Sequence, residues 1–138
     1  MTAPEFLDSN ILIYAYDPDD ERKQKIARDL LKRAVKGECG ISIQVLTDVA
    51  ATLLHKVRPK TTPQAVAEIL DLLAPIPTFS PDAETVRRAV EAHAEYGVHF
   101  YDGMILAAAE RAGRTKVWSE DLNAGQEYFG VRVENPFA

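Results

Sequence analysis

The stretch FLDSNILIYA, residues 6–15, passes from an extended pattern to a helical one within a few positions. Its first half predicts a short strand over residues 5–8, and the apolar residues 11–13 predict a small helix or turn directly after it. Asp8 stands at the junction. In open α/β sheets ligands collect beyond the carboxyl ends of the strands, so an acid at this junction is a candidate site residue.

The remaining sequence alternates between helical and extended patterns. Further helices are predicted over residues 19–36, 44–57, 63–73, 81–96 and 102–112, and further strands over residues 40–43, 76–79, 116–119 and 131–133. Ser80 is the expected cap of helix 81–96, and Gly113 ends helix 102–112. This alternation predicts a parallel sheet with helices on both faces. No repeat or linker divides the chain, so residues 1–138 are expected to form a single domain.

The composition is that of an ordinary globular protein, with 46% hydrophobic and 27% charged residues. The single cysteine, Cys39, is expected to be a buried, inert thiol. Glu5 and Asp8 stand where a signal peptide would be basic or apolar, and no apolar run approaches a membrane span. We therefore expect a cytoplasmic protein without a membrane partner.

The net charge of -5 argues at first sight against a nucleic-acid partner, because polyanions usually meet basic surfaces. The argument weakens if four acids are held around a divalent metal ion, since the remaining charge is then about -1 and the metal faces the substrate. The location of the acids therefore decides how the charge is interpreted.

Four aspartates, each with an ordinary alternative explanation, are the candidate site residues. Asp8 follows the first strand, where it could simply cap a helix, and Asp121 follows the strand at residues 116–119, where turn chemistry could explain it. Asp102 is expected to open the helix 102–112 on its inward face. Asp48 lies at the border between the apolar and solvent sides of helix 44–57, where a surface acid is the alternative.

The combination of these acids favours a metal site over the separate explanations. Carboxylates that are brought together raise one another's pKa unless a hard cation neutralises them. Oxygen ligands select Mg²⁺ or Mn²⁺, and such ions activate water and stabilise charge on a phosphodiester. The sequence therefore points to metal-dependent phosphodiester hydrolysis.

Four motifs resemble those of PIN-domain proteins, and more narrowly of the VapC toxins of toxin–antitoxin pairs. They are FLDSNILIYA at residues 6–15, ISIQVLTD at residues 41–48, YDGMILAAA at residues 101–109 and WSEDLNAG at residues 118–125. They occur in this order over nearly the whole chain. The resemblance implies a three-layer α/β/α fold with a central, mainly parallel sheet of four to five strands, and a Mg²⁺- or Mn²⁺-dependent endoribonuclease.

The resemblance also implies roles for individual residues. Asp8, Asp102 and Asp121 match metal-binding positions, and Asp48 joins them as a catalytic acid. Asn10 and Ser119 are the polar supports, and Glu120 is the neighbour that could assist or replace Asp121. Asp48 is a departure, because members of the family usually carry Glu there, and the shorter side chain has less reach toward a metal.

The partners that the resemblance implies are an RNA substrate, a small cognate antitoxin protein and a second copy of the chain in a homodimer. Basic residues offer a surface for RNA phosphates, with an ordinary solvated helix face as the alternative. The candidates are Arg22, Lys25, Lys56 and Arg58. For Tyr101 the first explanation is core packing, and base stacking near the site is the alternative.

Other readings of the acids remain. A phosphatase of the haloacid dehalogenase type needs a second aspartate two residues after the first, where this chain has Asn10. A phospho-acceptor receiver domain needs an acid pair at the first strand, where only Asp8 is present. A PIN-like module that mainly binds a protein partner, and a PIN nuclease that is not a toxin, are the closer alternatives.

Overall fold

The computed structural model of the chain describes residues 4–56 and 61–138. In these residues a six-stranded sheet has the order β3-β2-β1-β4-β6-β5, parallel except for the antiparallel pair of β5 and β6. The strands are β1 (Glu5–Leu7), β2 (Cys39–Ser42), β3 (Thr78–Phe79), β4 (Lys116–Trp118), β5 (Glu127–Tyr128) and β6 (Val131–Glu134).

Within the described ranges, six helices accompany the strands. They are α1 (Ser9–Ala15), α2 (Glu21–Val35), α3 (Ile43–His55), α4 (Pro63–Leu73), α5 (Ala83–Tyr96) and α6 (Phe100–Arg111). The chain moves from β1 to β2 to β3 and then returns past β1 to β4. Right-handed crossovers therefore place α1–α4 on one face of the sheet and α5 and α6 on the other. The predicted three-layer α/β/α fold with a mainly parallel sheet is confirmed.

The core lies where the central strands meet the helices. Phe6 of β1, Val117 of β4 and Val133 of β6 are fully buried. At the edge of this core the indole nitrogen of Trp118 donates to Glu5 Oε1 at 2.7 Å, and Lys116 Nζ lies 3.8 Å from the centre of the indole ring. Cys39 is fully buried in β2, as the sequence predicted.

Helices α5 and α6 approach each other closely at Gly103. A Cβ atom at this position would lie 2.8 Å from the backbone oxygen of Ala89 and 3.4 Å from Cβ of Ala92. The φ angle of Gly103 is not in the left-handed region, so its backbone conformation does not require glycine. The close approach of the two backbones does. This packing fixes the position of the first turn of α6, which carries Asp102.

Two predicted helix starts are wrong by about two residues. Asp82, and not Ser80, caps α5: its side chain accepts from the Thr85 amide at 2.9 Å, and the Thr85 hydroxyl lies 3.2 Å from the Asp82 amide. Helix α6 starts at Phe100 with His99 as its cap, so Asp102 lies in the first turn and does not open the helix. The ring nitrogen of His99 replaces the hydroxyl or carboxylate that usually marks a helix start.

The sheet has six strands in the described residues, where four to five were expected. The additional strand is the short β5. β5 and β6 form a hairpin whose two turn residues, Phe129 and Gly130, have φ angles of 53° and 79°. Two-residue hairpin turns of this kind usually carry Asn-Gly or Asp-Gly, so Phe-Gly gave no signal.

Helix 44–57 is found as α3, and its predicted last residue, Val57, lies outside the described residues together with Arg58. Within the parts of the chain that the structure describes, no helix has both the length and the apolar character needed to cross a membrane.

Candidate active site

The pairing of β1 with β4 brings Asp8 and Ser119 together. Leu7 is the register partner of Trp118, and the Asp8 amide donates to the Trp118 oxygen at 3.0 Å. The next residue of each strand therefore projects at the same edge of the sheet. There the Ser119 hydroxyl donates to Asp8 Oδ2 at 2.7 Å, and both residues are buried, with Asp8 4% exposed.

Asp8 is also the N-cap of α1. Its Oδ1 accepts from the Ser9 amide at 2.6 Å, and its backbone is extended. The capping role that the sequence offered as the ordinary explanation is thus confirmed. The Ser9 amide thus holds Asp8 Oδ1, and the Ser119 hydroxyl holds Asp8 Oδ2.

The charges of neighbouring aspartates act on Asp8 and on Asp102. Burial raises the pKa of Asp8 to about 6, against hydrogen bonds from Ser119 and Ser9 that lower it, and the charges of Asp121 and Asp102 raise it further. Burial followed by the charge of Asp121 also raises the pKa of Asp102. We call Asp8 and the two aspartates whose charges raise its pKa, Asp102 and Asp121, the acid cluster.

Asn10 of α1 and Ser119 hold the loop that carries Asp121. The Asn10 amide group donates to Asp121 Oδ2 at 3.1 Å, and the Asn10 side-chain oxygen accepts from the Glu120 amide at 3.4 Å. The Asp121 amide donates to the Ser119 hydroxyl at 3.2 Å. Both residues that were expected to support the site contact the acid cluster.

Asp48 of α3 is half-buried and lies beside Ser9. Burial raises the pKa of Asp48, while a hydrogen bond from the Ser9 side chain and the charge of Lys56 lower it. Ser9 therefore lies between two acids: its amide and its hydroxyl donate to Asp8 Oδ1 at 2.6 and 3.4 Å, and its side chain lowers the pKa of Asp48. The border position predicted for Asp48 agrees with this half-burial.

The carboxylate of Glu120 is directed away from the acid cluster. Its Oε1 accepts from the Tyr14 hydroxyl at 2.8 Å, and its Oε2 accepts from Lys23 Nζ at 2.7 Å. The resemblance implied that Glu120 could assist or replace Asp121, whereas in the structure this carboxylate forms an ion pair with Lys23.

The donor chemistry of the cluster fits a hard divalent cation, since all its side-chain donors are oxygens. Among residues 4–56 and 61–138, none of the ion pairs involves Asp8, Asp48, Asp102 or Asp121. Within the same ranges, no three His, Cys, Asp or Glu side chains stand close enough together to form a ready metal cage. The acids are thus coupled in charge and are not preassembled into a coordination shell.

A model of the PIN domain family matches residues 6–126, a range that contains all four aspartates. The chain belongs to the PIN domain family. No curated protein sequence matches it.

Solved structures share the architecture of this PIN domain. A chain of a toxin–antitoxin complex from Klebsiella pneumoniae has a TM-score of 0.70 at 17% identity, covering 96% of this chain and 97% of that one. A chain of DNA-bound VapBC from Salmonella typhimurium has a TM-score of 0.68 at 19% identity, covering 96% and 97%. VapC20 from Mycobacterium tuberculosis, described as a Sarcin-Ricin loop cleaving toxin, has a TM-score of 0.66 at 18% identity, covering 85% and 91%.

Three of the four basic residues that are candidates for RNA contact lie within the described residues. Lys56 is exposed, and its charge lowers the pKa of Asp48. Lys25 is exposed on α2, and the guanidinium of Arg22 donates to the Phe137 oxygen at 2.7 Å. Arg58 lies outside the described residues.

Tyr101 is exposed to 63% and stacks on His99, with ring centres 5.8 Å apart. The expected core packing of Tyr101 is therefore wrong. The aromatic ring faces solvent one residue before Asp102.

Sequence reasoning did not identify Tyr14 and Lys23 as neighbours of the site. Tyr14 lies four residues after Asn10, and this spacing places both on one side of α1. That spacing was a signal for Tyr14. Lys23 gave no signal of its own, because it is one of several basic residues along α2.

Proposed function

We propose that this PIN domain is a Mg²⁺- or Mn²⁺-dependent endoribonuclease and the toxin of a VapBC-like toxin–antitoxin pair. The observation that carries the proposal is the hydrogen-bonded arrangement of Asp8, Ser119 and Asp121 at the carboxyl edge of β1 and β4, together with the effect of Asp102 on the pKa of Asp8. Several like charges at one edge favour the binding of a divalent cation.

The comparisons support the substrate class. The family is that of the PIN domain, and one of the structures with the same fold is described as a toxin that cleaves the Sarcin-Ricin loop. Other structures with this fold were solved as toxin–antitoxin complexes. An RNA phosphodiester as substrate and a small antitoxin as partner agree with both.

The residues of the chain have separate tasks in the proposed reaction. Asp8, Asp102 and Asp121 hold the cation, while Asp48 completes its surroundings or orients the attacking water. Ser119 and the Ser9 amide fix the two oxygens of Asp8, and Asn10 fixes Asp121. A bound Mg²⁺ or Mn²⁺ supplies positive charge that activates water and stabilises the charge developing on the phosphate.

The biological setting follows the same resemblance. We expect a cytoplasmic homodimer in which residues 1–138 form one PIN domain. We also expect a cognate antitoxin whose C-terminal segment covers the acidic cleft. Lys56, Lys25 and Arg22 are the described candidates for contacts with RNA phosphates, and Tyr101 offers a face for a base.

The direct test compares Asp8→Asn and Asp102→Asn with the wild type on a labelled RNA in the presence of Mn²⁺. Both variants are expected to lose cleavage by at least about 100-fold while remaining folded, because each removes a charge from the cation site. Asp71→Asn, which changes an exposed aspartate of α4, is the matched control and is expected to cleave normally. Full metal-dependent cleavage by Asp8→Asn would falsify the assignment.

A second candidate function is a PIN-like module with little or no catalysis that mainly binds a protein partner. The observation that favours it is Asp48, whose side chain is one methylene shorter than the Glu that the resemblance implies at this position. Purified protein that stays inert on varied RNAs with Mg²⁺ and Mn²⁺, yet binds a partner tightly, would support this second function.

A further inference from the structure

The ion pair beside the acid cluster joins three elements of the fold. Glu120 precedes Asp121 in the loop after β4, Tyr14 lies on α1 and Lys23 lies on α2. Lys23 Nζ is 2.7 Å from Glu120 Oε2 and 3.3 Å from the Tyr14 hydroxyl, and both side chains of the ion pair are only 26% exposed. We call Tyr14, Lys23 and Glu120 the clamp.

The clamp is itself held in place by aromatic contacts. The rings of Tyr14 and Phe137 meet edge to face at 5.0 Å, and Phe137 is 6% exposed. Lys23 Nζ lies 4.8 Å from the Tyr14 ring centre and 5.5 Å from that of Phe137. A partly shielded ion pair with these additional contacts is held more firmly than an ordinary surface pair.

Helix α1 contacts the loop twice, at positions one turn apart. Asn10 bonds to the side chain of Asp121 and to the amide of Glu120, and Tyr14 bonds to the carboxylate of Glu120. Two consecutive loop residues, Glu120 and Asp121, are therefore hydrogen-bonded to the same helix. The loop cannot rotate away from α1 without breaking one of these hydrogen bonds. Asp121 itself is exposed, with its side chain held by Asn10 and its amide by Ser119.

We propose that the clamp is a positioning device: Glu120 is not a metal ligand, and its ion pair with Lys23 keeps Asp121 directed toward Asp8 and Asp102. Lys23 and Tyr14 are thereby positioning residues. The expected effect of the clamp on metal binding rests on the proposed function. Its expected effect on the position of the loop is independent of that function.

The decisive variant is Lys23→Met. Its Mn²⁺ affinity should rise if Glu120 is a metal ligand and fall if the clamp positions Asp121. If Glu120 were a ligand, removing Lys23 would free its carboxylate and delete a positive charge, so that Mn²⁺ would bind more tightly. If the clamp positions Asp121, the same variant binds Mn²⁺ roughly tenfold more weakly despite the favourable change in charge. Lys23→Arg keeps the charge and a donor, and is expected to retain most of the wild-type affinity.

The experiment measures Mn²⁺ binding by calorimetry and amide hydrogen exchange at Asp121 in metal-free protein. Lys23→Met and Glu120→Gln are expected to speed this exchange roughly tenfold through local opening of the loop. Glu110→Gln is the matched control, since Glu110 accepts two hydrogen bonds from Arg88 at 2.8 and 2.9 Å and lies two turns beyond Asp102 on α6. It is expected to leave both measurements unchanged.

The outcomes separate the clamp from the proposed function. If Lys23→Met binds Mn²⁺ more tightly, or if its Asp121 amide exchanges as in the wild type, the clamp is overturned. If the wild type binds no Mn²⁺ and cleaves no RNA, the proposed function fails, and the exchange measurement alone still decides whether the clamp holds the loop.

Discussion

The Ser119 hydroxyl lies 2.7 Å from Asp8 Oδ2, and both residues are almost completely shielded from solvent. This hydrogen bond joins the ends of two neighbouring strands and acts on the charge of the carboxylate. A donor to a carboxylate favours its ionised form, so Ser119 lowers the pKa of Asp8 while burial raises it. The same contact therefore affects both the fold and the acid cluster.

Replacing Ser119 by alanine is expected to raise the pKa of Asp8 above about 6, because the largest opposing contribution is removed. The fold is expected to lose about 1–3 kcal/mol, the usual cost of leaving a buried polar group without its partner. Carbon-13 NMR titration of metal-free protein measures the pKa, and urea unfolding measures the stability. Ser80→Ala, at an exposed position, is the control. An unchanged Asp8 titration would show that the hydroxyl does not act on the carboxylate.

Asp8 is expected to make the metal-free fold less stable as the pH rises from about 4 to about 6. In this window the unfolded chain releases the proton, whose ordinary pKa is 3.8, while the folded chain retains it up to about pH 6. The resulting penalty at pH 7 is at most about 3 kcal/mol, and Asp8→Asn should remove it. Urea unfolding of both proteins at pH 4.5 and pH 7 checks this. A stability difference between the two that does not change with pH would refute it.

Asp48→Glu is expected to strengthen metal binding, because the added methylene lets the carboxylate reach past Ser9 toward the acid cluster. We expect the Mn²⁺ concentration for half-maximal cleavage to fall about threefold, and to rise in Asp48→Ala. Asp71→Glu on α4 controls for the change of residue type. If Asp48→Glu needs as much Mn²⁺ as the wild type, the length of the side chain at position 48 does not limit metal binding.

Gly103→Ala is expected to destabilise the fold by about 1–3 kcal/mol, because the new Cβ would lie 2.8 Å from the Ala89 oxygen. In an open helix the same substitution would stabilise by up to about 1 kcal/mol, so the sign distinguishes crowding from helix propensity. Thermal unfolding gives the answer. A variant as stable as the wild type would mean that α5 and α6 separate at little cost.

The sequence was informative where local rules decide the structure. The end of an apolar strand located Asp8, whereas Ser119 was named only through the family resemblance, because the sequence did not show that β4 would pair with β1. The start of α6 was misplaced because the imidazole of His99 caps it, and the direction of Glu120 was missed because Lys23 lies 97 positions away. Long-range side-chain contacts of this kind carry no local signal in a single sequence.

Trp118, whose indole bonds to Glu5, is the only tryptophan of the chain and the covalent neighbour of Ser119. Its intrinsic fluorescence therefore originates at the centre of the sheet, one residue from the acid cluster. A spectrometer can follow unfolding and cation titrations at this one position in the native protein, without an added dye.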